Sequence, residues 1–529
     1  MKKVFRLTAV VAISLLLVVS MFAGCGNNAT APAPSAPAAD GGASAPAAPA
    51  DGGDSLAPVT LKLILFGDKR TETDNVFRHL ADTFRAELNA DYDVIFVPGG
   101  PNGDDYKDKL RTMAASGDDW DFNFDGDWLS YNFMINNNAY LDVKDLLPIY
   151  APDLNAVYEK TGVLDSIAVG GSVYALPWTM SMNQRPFVQW SRDFADAAGL
   201  DFENNSIKTV EDMDALFTAL RQAYPDKKIN ELAEGHRIFY AMHELTELPY
   251  NFVFDTKSSK PELIHFAMTD AYQDYAKWAK KWQDDGVIWR DIITTAYEGN
   301  NLIREGELIS NISWHEWVHC NWMWNGVMGT PDVNRYYSLL YPENVFPNRT
   351  PLANVMAINR NAKNPERALM FLNMVETNRE FYDMLHFGIE GLTYVLGPNG
   401  EAEYAVPDMT AQNSNYMEWG GQWALWKPQF MRPTQIYPEG FWQREAEFAA
   451  LPINVNSPVV GFFPDLTSVE NELAMVASIY EEGNRLVRAG LINDSEAAVQ
   501  EMRNRLNAAG LDAVTAEYQK QVDAFMASK

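Results

Sequence analysis

Gly170-Gly171-Ser172-Val173-Tyr174-Ala175-Leu176-Pro177-Trp178, continued by Arg185-Pro186-Phe187-Val188-Gln189-Trp190 and on to Gly199-Leu200, decides how this chain is read. The run from Val173 to Leu176 is extended and stops at Pro177, which has no N–H for a central ladder and so closes the strand. The chain stays extended past Pro186, then reads as a short helix from Arg192 to Ala198 that Gly199 stops. Strand and helix signals alternate before this stretch and again after it. It therefore reads as a crossing between two lobes.

Upstream, Val59 to Phe66 is an apolar run suited to a buried parallel strand. Phe77, Leu80, Ala81, Phe84 and Leu88 follow at helical spacing behind a cap at Thr73 or Asp74. Tyr92 to Val97 reads as a second strand, Asp104 to Ala115 as a second helix and Trp120 to Phe124 as a third strand. That alternation predicts a parallel sheet, and ligands of such sheets sit beyond the carboxyl ends of the strands. The rule nominates Phe66-Gly67-Asp68, Pro98-Gly99-Gly100 and Asp125-Gly126-Asp127-Trp128.

Downstream, Thr209 and Asp212 have the form of a capping box. Asp270 to Asp285 carries Tyr272, Tyr275, Ala279 and Trp282 at helical spacing, and Leu308 to Ser313 reads as a strand. From Val469 the pattern is helical nearly to the end.

The N-terminus has Lys2, Lys3 and Arg6, an apolar run from Leu7 to Phe22, and Ala23-Gly24-Cys25. Such a segment reads as an export signal, with an uncleaved membrane anchor as the alternative. Asn27 to Ala57, built almost wholly of Ala, Pro, Gly, Ser and Asp, cannot bury apolar area and reads as a tether. At 529 residues, 47% hydrophobic and 12% aromatic, the chain is long enough for two or three domains and is globular over most of its length. The net charge of −29 argues against nucleic acid and other polyanions. With Cys25 in the leader, Cys320 is the one remaining cysteine, so no intramolecular disulfide is expected.

Several motifs resemble the extracellular sugar-binding proteins that feed ABC importers. They are Gly171-x-x-Tyr174-Ala175-Leu176-Pro177 with Gly199-Leu200 after it, Gly306-Glu307 before a strand ending at Trp314, and Val355 to Asn359 leading into Lys363 to Leu372. Phe387-Gly388-Ile389-Glu390-Gly391 and Tyr394 continue the likeness. Gly421-Gln422-Trp423, Ser457 to Phe462, Leu506 to Leu511 and Glu517 to Gln521 resemble the C-terminal extension of one group of large lipoproteins within that family.

The resemblance implies an α/β fold of two lobes, periplasmic-binding-protein-like, each lobe a mostly parallel sheet flanked by helices, with a helical C-terminal part. It implies a lipoprotein signal peptide at 1–25 with Cys25 lipidated, although Phe22 stands where leucine is usual, and a tether at 26–58. Lobe 1 would span 59–183 and lobe 2 187–352. A return to lobe 1 would cover 354–397. An extension at 398–529, packed mainly on lobe 2, would follow a third crossing after about Gly397. The implied function is non-enzymatic. A monomeric, lipid-anchored protein on the extracytoplasmic face of the cell membrane captures an oligosaccharide between its lobes and delivers it to ABC permease subunits, with no cofactor and no metal.

Sugar rings expose apolar C–H faces that an indole covers well, while carboxylates accept hydroxyl hydrogen bonds. Candidate ligand-binding residues are accordingly Phe66, Asp68, Asp125, Asp127, Trp128, Trp178, Trp314, Glu316, Trp317, Tyr394, Trp419 and Trp423. For any single tryptophan the alternative is core packing.

Motifs of other chemistries are also present. His315-Glu316-Trp317-Val318-His319 matches H-E-x-x-H, the zinc-peptidase pattern, but follows a strand rather than lying on a helix, and with no histidine between His319 and His386 a carboxylate such as Glu343 would have to supply the third ligand. Asp121-x-Asn123-x-Asp125-Gly126 resembles the start of a calcium loop, yet Asn132 stands where the bidentate glutamate belongs. No carboxylate pair is recognisable as that of a glycosidase. A glycan-binding surface lipoprotein without a transport role is the remaining alternative, and an oligopeptide the alternative ligand.

Overall fold

The computed structural model describes residues 56–528 apart from 101–102, 181–182, 184, 204, 233–234, 290, 294–301, 303–305, 314–334, 411–412, 435–436 and 438. They belong to one compact unit, Asp54–Lys529. The expected leader, Cys25 and most of the tether lie outside the described residues, as do Trp314, His315, Glu316, Trp317 and His319.

β1 (Val59–Phe66) buries Leu61, Leu63, Ile64 and Leu65, the near-continuous apolar run that a strand covered on both faces requires. β2 (Ala90–Val97) and β3 (Phe122–Asp125) pair with it in parallel on either side. Helices Thr73–Thr83 and Asp104–Ser116 make the crossovers, burying Val76, Phe77 and Leu80 from the first and Tyr106, Leu110 and Met113 from the second. β4 (Leu176–Pro177) is much shorter than the extended run in the sequence, and it lies at the sheet edge, where a proline costs no ladder bond.

β5 (Phe187–Ser191) opens the second lobe. Helix Val210–Ala223 begins with the expected capping box: Asp212 N–H donates to Thr209 Oγ1 at 3.2 Å, and Thr209 N–H donates back to the Asp212 carboxylate at 3.0 Å. β6 (Leu245–Leu248), β7 (Phe252–Asp255) and β8 (Ile264–His265) form an antiparallel sheet in that order. Helix Asp270–Asp284 buries Tyr272, Tyr275, Ala279 and Trp282 against the lobe core. β9 (Ser310–Ser313) and β10 (Arg335–Leu339) flank β5, and both are antiparallel to it. The expectation of a mostly parallel sheet is thus corrected for this lobe. β5 enters from the hinge and β10 runs back toward it, so the two must point in opposite directions.

β11 (Phe346–Pro347) lies in the hinge, and β12 (Val355–Ile358) returns to lobe 1 between β3 and β4, antiparallel to both. The completed sheet has the order β2-β1-β3-β12-β4. Helices Pro365–Thr377 and Arg379–Phe387 contribute Phe371, Leu372, Phe381 and Leu385 to the same core. β13 (Tyr394–Leu396) and β14 (Ala402–Tyr404) form a hairpin beside it.

After Gly397 the chain does not cross to lobe 2. Tyr416, Trp419, Ala424 and Leu425 are built into the lobe 1 core. Lys427 Nζ is paired at 2.8 Å with Glu376, and Arg432 Nη2 at 2.7 Å with Asp383, so ion pairs pin this segment to the helices of lobe 1. The crossing comes later, at β15 (Asn454–Val455), which runs parallel to β11. Only then do helices Glu470–Arg488, Ser495–Ala508 and Leu511–Ser528 pack on lobe 2, with Tyr480, Met502, Leu506, Val514 and Tyr518 in one buried cluster with Trp190 and Trp282. Of the stretch expected to pack mainly on lobe 2, Tyr416, Trp419, Ala424 and Leu425 thus lie in the lobe 1 core and the last three helices lie with the lobe 2 core.

Candidate functional site

A cavity of about 1230 Å³ opens between the lobes. Lobe 1 contributes the segments that follow its parallel strands: Phe66, Gly67, Asp68 and Arg70 after β1, Gly99 after β2, and Asp127 with Trp128 after β3. Lobe 2 contributes Arg237, Tyr240 and β6. The hinge contributes Phe346 to Thr350 and Leu352 to Asn354, and the C-terminal part adds Glu418 to Gly420, Trp423, Trp426, Tyr437, Ser457 and Val459 to Phe463.

Main-chain geometry brings these pieces together. Gly67 and Gly420 form an antiparallel bridge, and Gly67, at φ +123°, approaches so closely that a Cβ would lie 1.8 Å from the Trp419 carbonyl oxygen. Only glycine serves there. Asp127 N–H donates to the Leu352 carbonyl at 2.9 Å, and Trp128 Nε1–H donates to the Ala353 carbonyl at 2.8 Å. The loop after β3 is thereby fixed to the hinge.

The aromatic surface is continuous. Phe66 has its ring centroid 5.6 Å from Trp128 and 5.7 Å from Trp423, in edge or tilted arrangements. Trp128 keeps 37% of its surface exposed, which is unusual for so large a residue in contact with a core. Trp426 stands 4.6 Å from Trp442 and 5.6 Å from Tyr437.

The charges are mixed. Arg237 and Glu247 of lobe 2 are paired at 3.1 Å, Lys107 and Asp104 at 2.8 Å, and Arg70 donates from Nη2 to the Glu418 carbonyl at 2.9 Å. Burial raises the Asp127 carboxyl; the Arg349 charge opposes that shift, and the Glu247 charge adds to it. Burial pushes the Glu418 carboxyl up to about 7 against the pull of Arg70 and a hydrogen bond from Gln422 Nε2. Such a site offers hydroxyl-binding carboxylates and cationic guanidinium and ammonium donors on aromatic walls, without a dominant sign of charge.

Of the residues singled out in the sequence, Phe66, Asp68, Asp127, Trp128, Trp419 and Trp423 line this cavity. Trp419 is only 1% exposed and wedged edge-on against Phe96, so it meets the cavity chiefly through its backbone. Three others lie elsewhere. Asp125 is 0% exposed; its carboxylate accepts from Gly126 N–H, Ser130 N–H and the Tyr140 hydroxyl, which makes it an internal brace for the loop after β3. Trp178 is buried, stacked on Trp426 at 6.1 Å beneath the Arg349 guanidinium. Tyr394 packs on Phe387 in the hairpin.

The calcium-loop match falls on a core strand. Asp121 accepts the Lys62 and Asn364 backbone N–H groups, and the Asn123 amide donates to the Phe124 carbonyl and the Tyr140 hydroxyl. Among the described residues no group of three or more His, Cys, Asp or Glu could hold a metal ion.

The cavity is also lined by Arg70, Glu247, Arg349, Glu418, Trp426 and Tyr437, none of which the sequence singled out. Glu418 could have been found as the carboxylate adjoining Trp419. Glu247 and Arg349 carried no local signal, since they reach the cavity through lobe 2 and the hinge.

The profile of the family described as bacterial extracellular solute-binding protein matches residues 79–386, and a domain of unknown function matches residues 458–527. A carbohydrate ABC transporter substrate-binding protein of Streptococcus pneumoniae serotype 4 is 22% identical over 482 residues, 89% of this chain and 91% of that one. Among solved structures, the N-glycan transport solute binding protein NgtS of S. pneumoniae superposes with a TM-score of 0.72 at 18% identity, covering 89% of this chain and 99% of NgtS. S. pneumoniae FusA in complex with kestose gives 0.60 at 16%, covering 89% and 100%. An HMO-binding solute binding protein from Bifidobacterium longum infantis gives 0.63 at 12%, covering 89% and 100%. The likeness to these structures is one of fold: two α/β domains with sheets flanked by helices and a helical C-terminal portion.

Proposed function

Since the chain belongs to the bacterial extracellular solute-binding protein family, whose profile spans residues 79–386 of its 529, we propose that it captures an oligosaccharide in the interlobe cleft and passes it to an ABC permease. The observation that carries this reading is the exposed indole of Trp128, fixed to the hinge beside Phe66 and Trp423 and flanked by Asp68, Asp127 and Glu418. Flat apolar faces next to carboxylates match the alternating C–H and hydroxyl surfaces of sugar rings. A volume of about 1230 Å³ exceeds what one small ring fills.

The relatives support the same class: NgtS has been crystallised with Man1GlcNAc and Man5GlcNAc, and FusA with kestose. Members of the family carry solutes rather than transform them, so no residue here is given a catalytic role. Phe66, Asp68, Asp127, Trp128 and Trp423 are the proposed ligand contacts, joined by Glu247, Arg349 and Glu418.

Closure follows from differential affinity. A ligand that touches both lobes binds the closed form better and shifts the population toward it. A micromolar affinity corresponds to about −8 kcal/mol, within reach of a few stacked faces and charge-assisted hydrogen bonds. The Lys2 to Cys25 leader and the Ala/Pro-rich stretch after it support export and lipid anchoring at the membrane surface. Thermal unfolding against a panel of oligosaccharides and oligopeptides tests the reading: a concentration-dependent rise of the midpoint with one glycan family and with no peptide is expected, because a ligand of the folded state must stabilise it.

A further inference from the structure

The segment Ser457–Phe463, at the entry to the domain of unknown function, follows directly on β15, where the chain crosses to lobe 2. Its side chains go alternately to the two lobes. Val459 and Phe462 belong with the lobe 2 core, and Phe462 stacks on Tyr518 at 6.0 Å and meets Phe525 at 5.3 Å, both on the last helix. Val460 and Phe463 pack on the lobe 1 core, and Phe463 stands edge-on to Tyr131 at 5.6 Å.

Between them Gly461, at φ +80°, is pressed onto lobe 1 so closely that a Cβ would lie 2.6 Å from the Ser166 carbonyl oxygen. The chain is thus stitched to both lobes within five residues, and the same five line the cavity.

We infer that this segment gives the domain of unknown function its role: it is a strap across the lobe seam that sets the interlobe angle and carries ligand-driven closure into the C-terminal helices. Two hinge strands alone leave a rotation free, whereas a strap with aromatic anchors in both cores cannot follow a large rotation without withdrawing one of them. Close-packed contacts of this kind switch between discrete arrangements rather than stretch. Val460, Gly461 and Phe463 are therefore positioning residues for closure. The inference rests on the two-lobed fold and not on the identity of the ligand.

The test is a pulsed dipolar distance measurement between spin labels placed by Glu87→Cys in lobe 1 and Ala215→Cys in lobe 2, both exposed, with Cys25 and Cys320 replaced by serine. The full chain is compared with its Phe463→Ala and Gly461→Ala variants, and with Leu486→Ala on an exposed position of the same C-terminal domain. Without any ligand, both strap variants are expected to show a broader distribution shifted to longer distance, and Leu486→Ala the unchanged one. Should Phe463→Ala fail to fold, Phe463→Leu keeps an apolar anchor and is expected to give a smaller shift in the same direction. Distributions identical to the unmodified chain in both strap variants would overturn the inference while leaving the carbohydrate reading intact. Failure of every glycan to bind, with the shift observed, would do the reverse.

Discussion

Trp128 donates its indole N–H to the Ala353 carbonyl at 2.8 Å, so an exposed aromatic of lobe 1 is oriented by the hinge. The bond fixes the plane of the ring without covering its face, which is what a stacking platform needs. Replacement by alanine removes both face and tether. Trp128→Ala is expected to weaken glycan binding by about 2 kcal/mol, roughly thirtyfold, as truncation of a central aromatic anchor does. Because the ring also packs on Phe66 and Phe124 and its N–H ties the loop to the hinge, the unfolding midpoint should fall as well. Titration calorimetry with thermal unfolding checks both halves.

Lys427 and Glu376 form a pair whose side chains are only 4% and 6% exposed, with Gln429 Nε2 donating to the same carboxylate at 2.7 Å. Removing one partner strands the other charge in the core. Lys427→Met is expected to cost about 3 to 5 kcal/mol in urea unfolding, and Lys427→Met with Glu376→Gln to recover most of it, since the penalty comes from the uncompensated charge.

Glu418 sets a pH dependence. Burial raises its carboxyl from an ordinary 4.5 to about 7, so between those values the folded chain holds a proton that the unfolded chain has released. Stability from this group is complete below the unfolded value and is lost as the pH rises toward 7. Water in the cleft reaches the residue, so the contribution is on the order of 1 kcal/mol. Glu418→Gln should lose less stability than the unmodified chain between pH 5 and pH 8. An identical decline in the two proteins would show that Glu418 is ionised throughout.

His265 works in the opposite direction. It is buried between Phe252 and Tyr480, and burial lowers its imidazole from 6.5 to about 4. The unfolded chain takes up a proton below 6.5 that the folded chain refuses until about 4, so stability is lost as the pH falls through that window. His265→Phe should flatten the acid side of the stability profile, measured by denaturant unfolding at pH 5 and pH 7.

Much of the first lobe was legible because its signals are local. Val59 to Phe66 is a continuous apolar run, the helix that follows it shows its spacing in Phe77, Leu80 and Ala81, and the rule for parallel sheets nominated Phe66, Asp68, Asp127 and Trp128, which line the cavity. The second lobe was harder to read, since the direction of β5 against β9 and β10 is set by the hinge rather than by any residue in those strands. Asp125 and Trp178 misled for a physical reason: a carboxylate that accepts three hydrogen bonds internally and an indole stacked inside a loop have the same sequence context as exposed ones. The third crossing was displaced because Lys427 and Arg432 find Glu376 and Asp383 some 50 residues upstream, at separations of 51 and 49 positions, where periodicity gives no warning.

Whether the interlobe cleft binds an oligosaccharide on the Trp128 face is read from calorimetric titration of the unmodified chain, Trp128→Ala and Trp423→Ala with a panel of oligosaccharides. One glycan family should bind the unmodified chain, and each variant should bind it at least tenfold more weakly. Binding of no glycan, or equal affinity in all three proteins, would contradict the account.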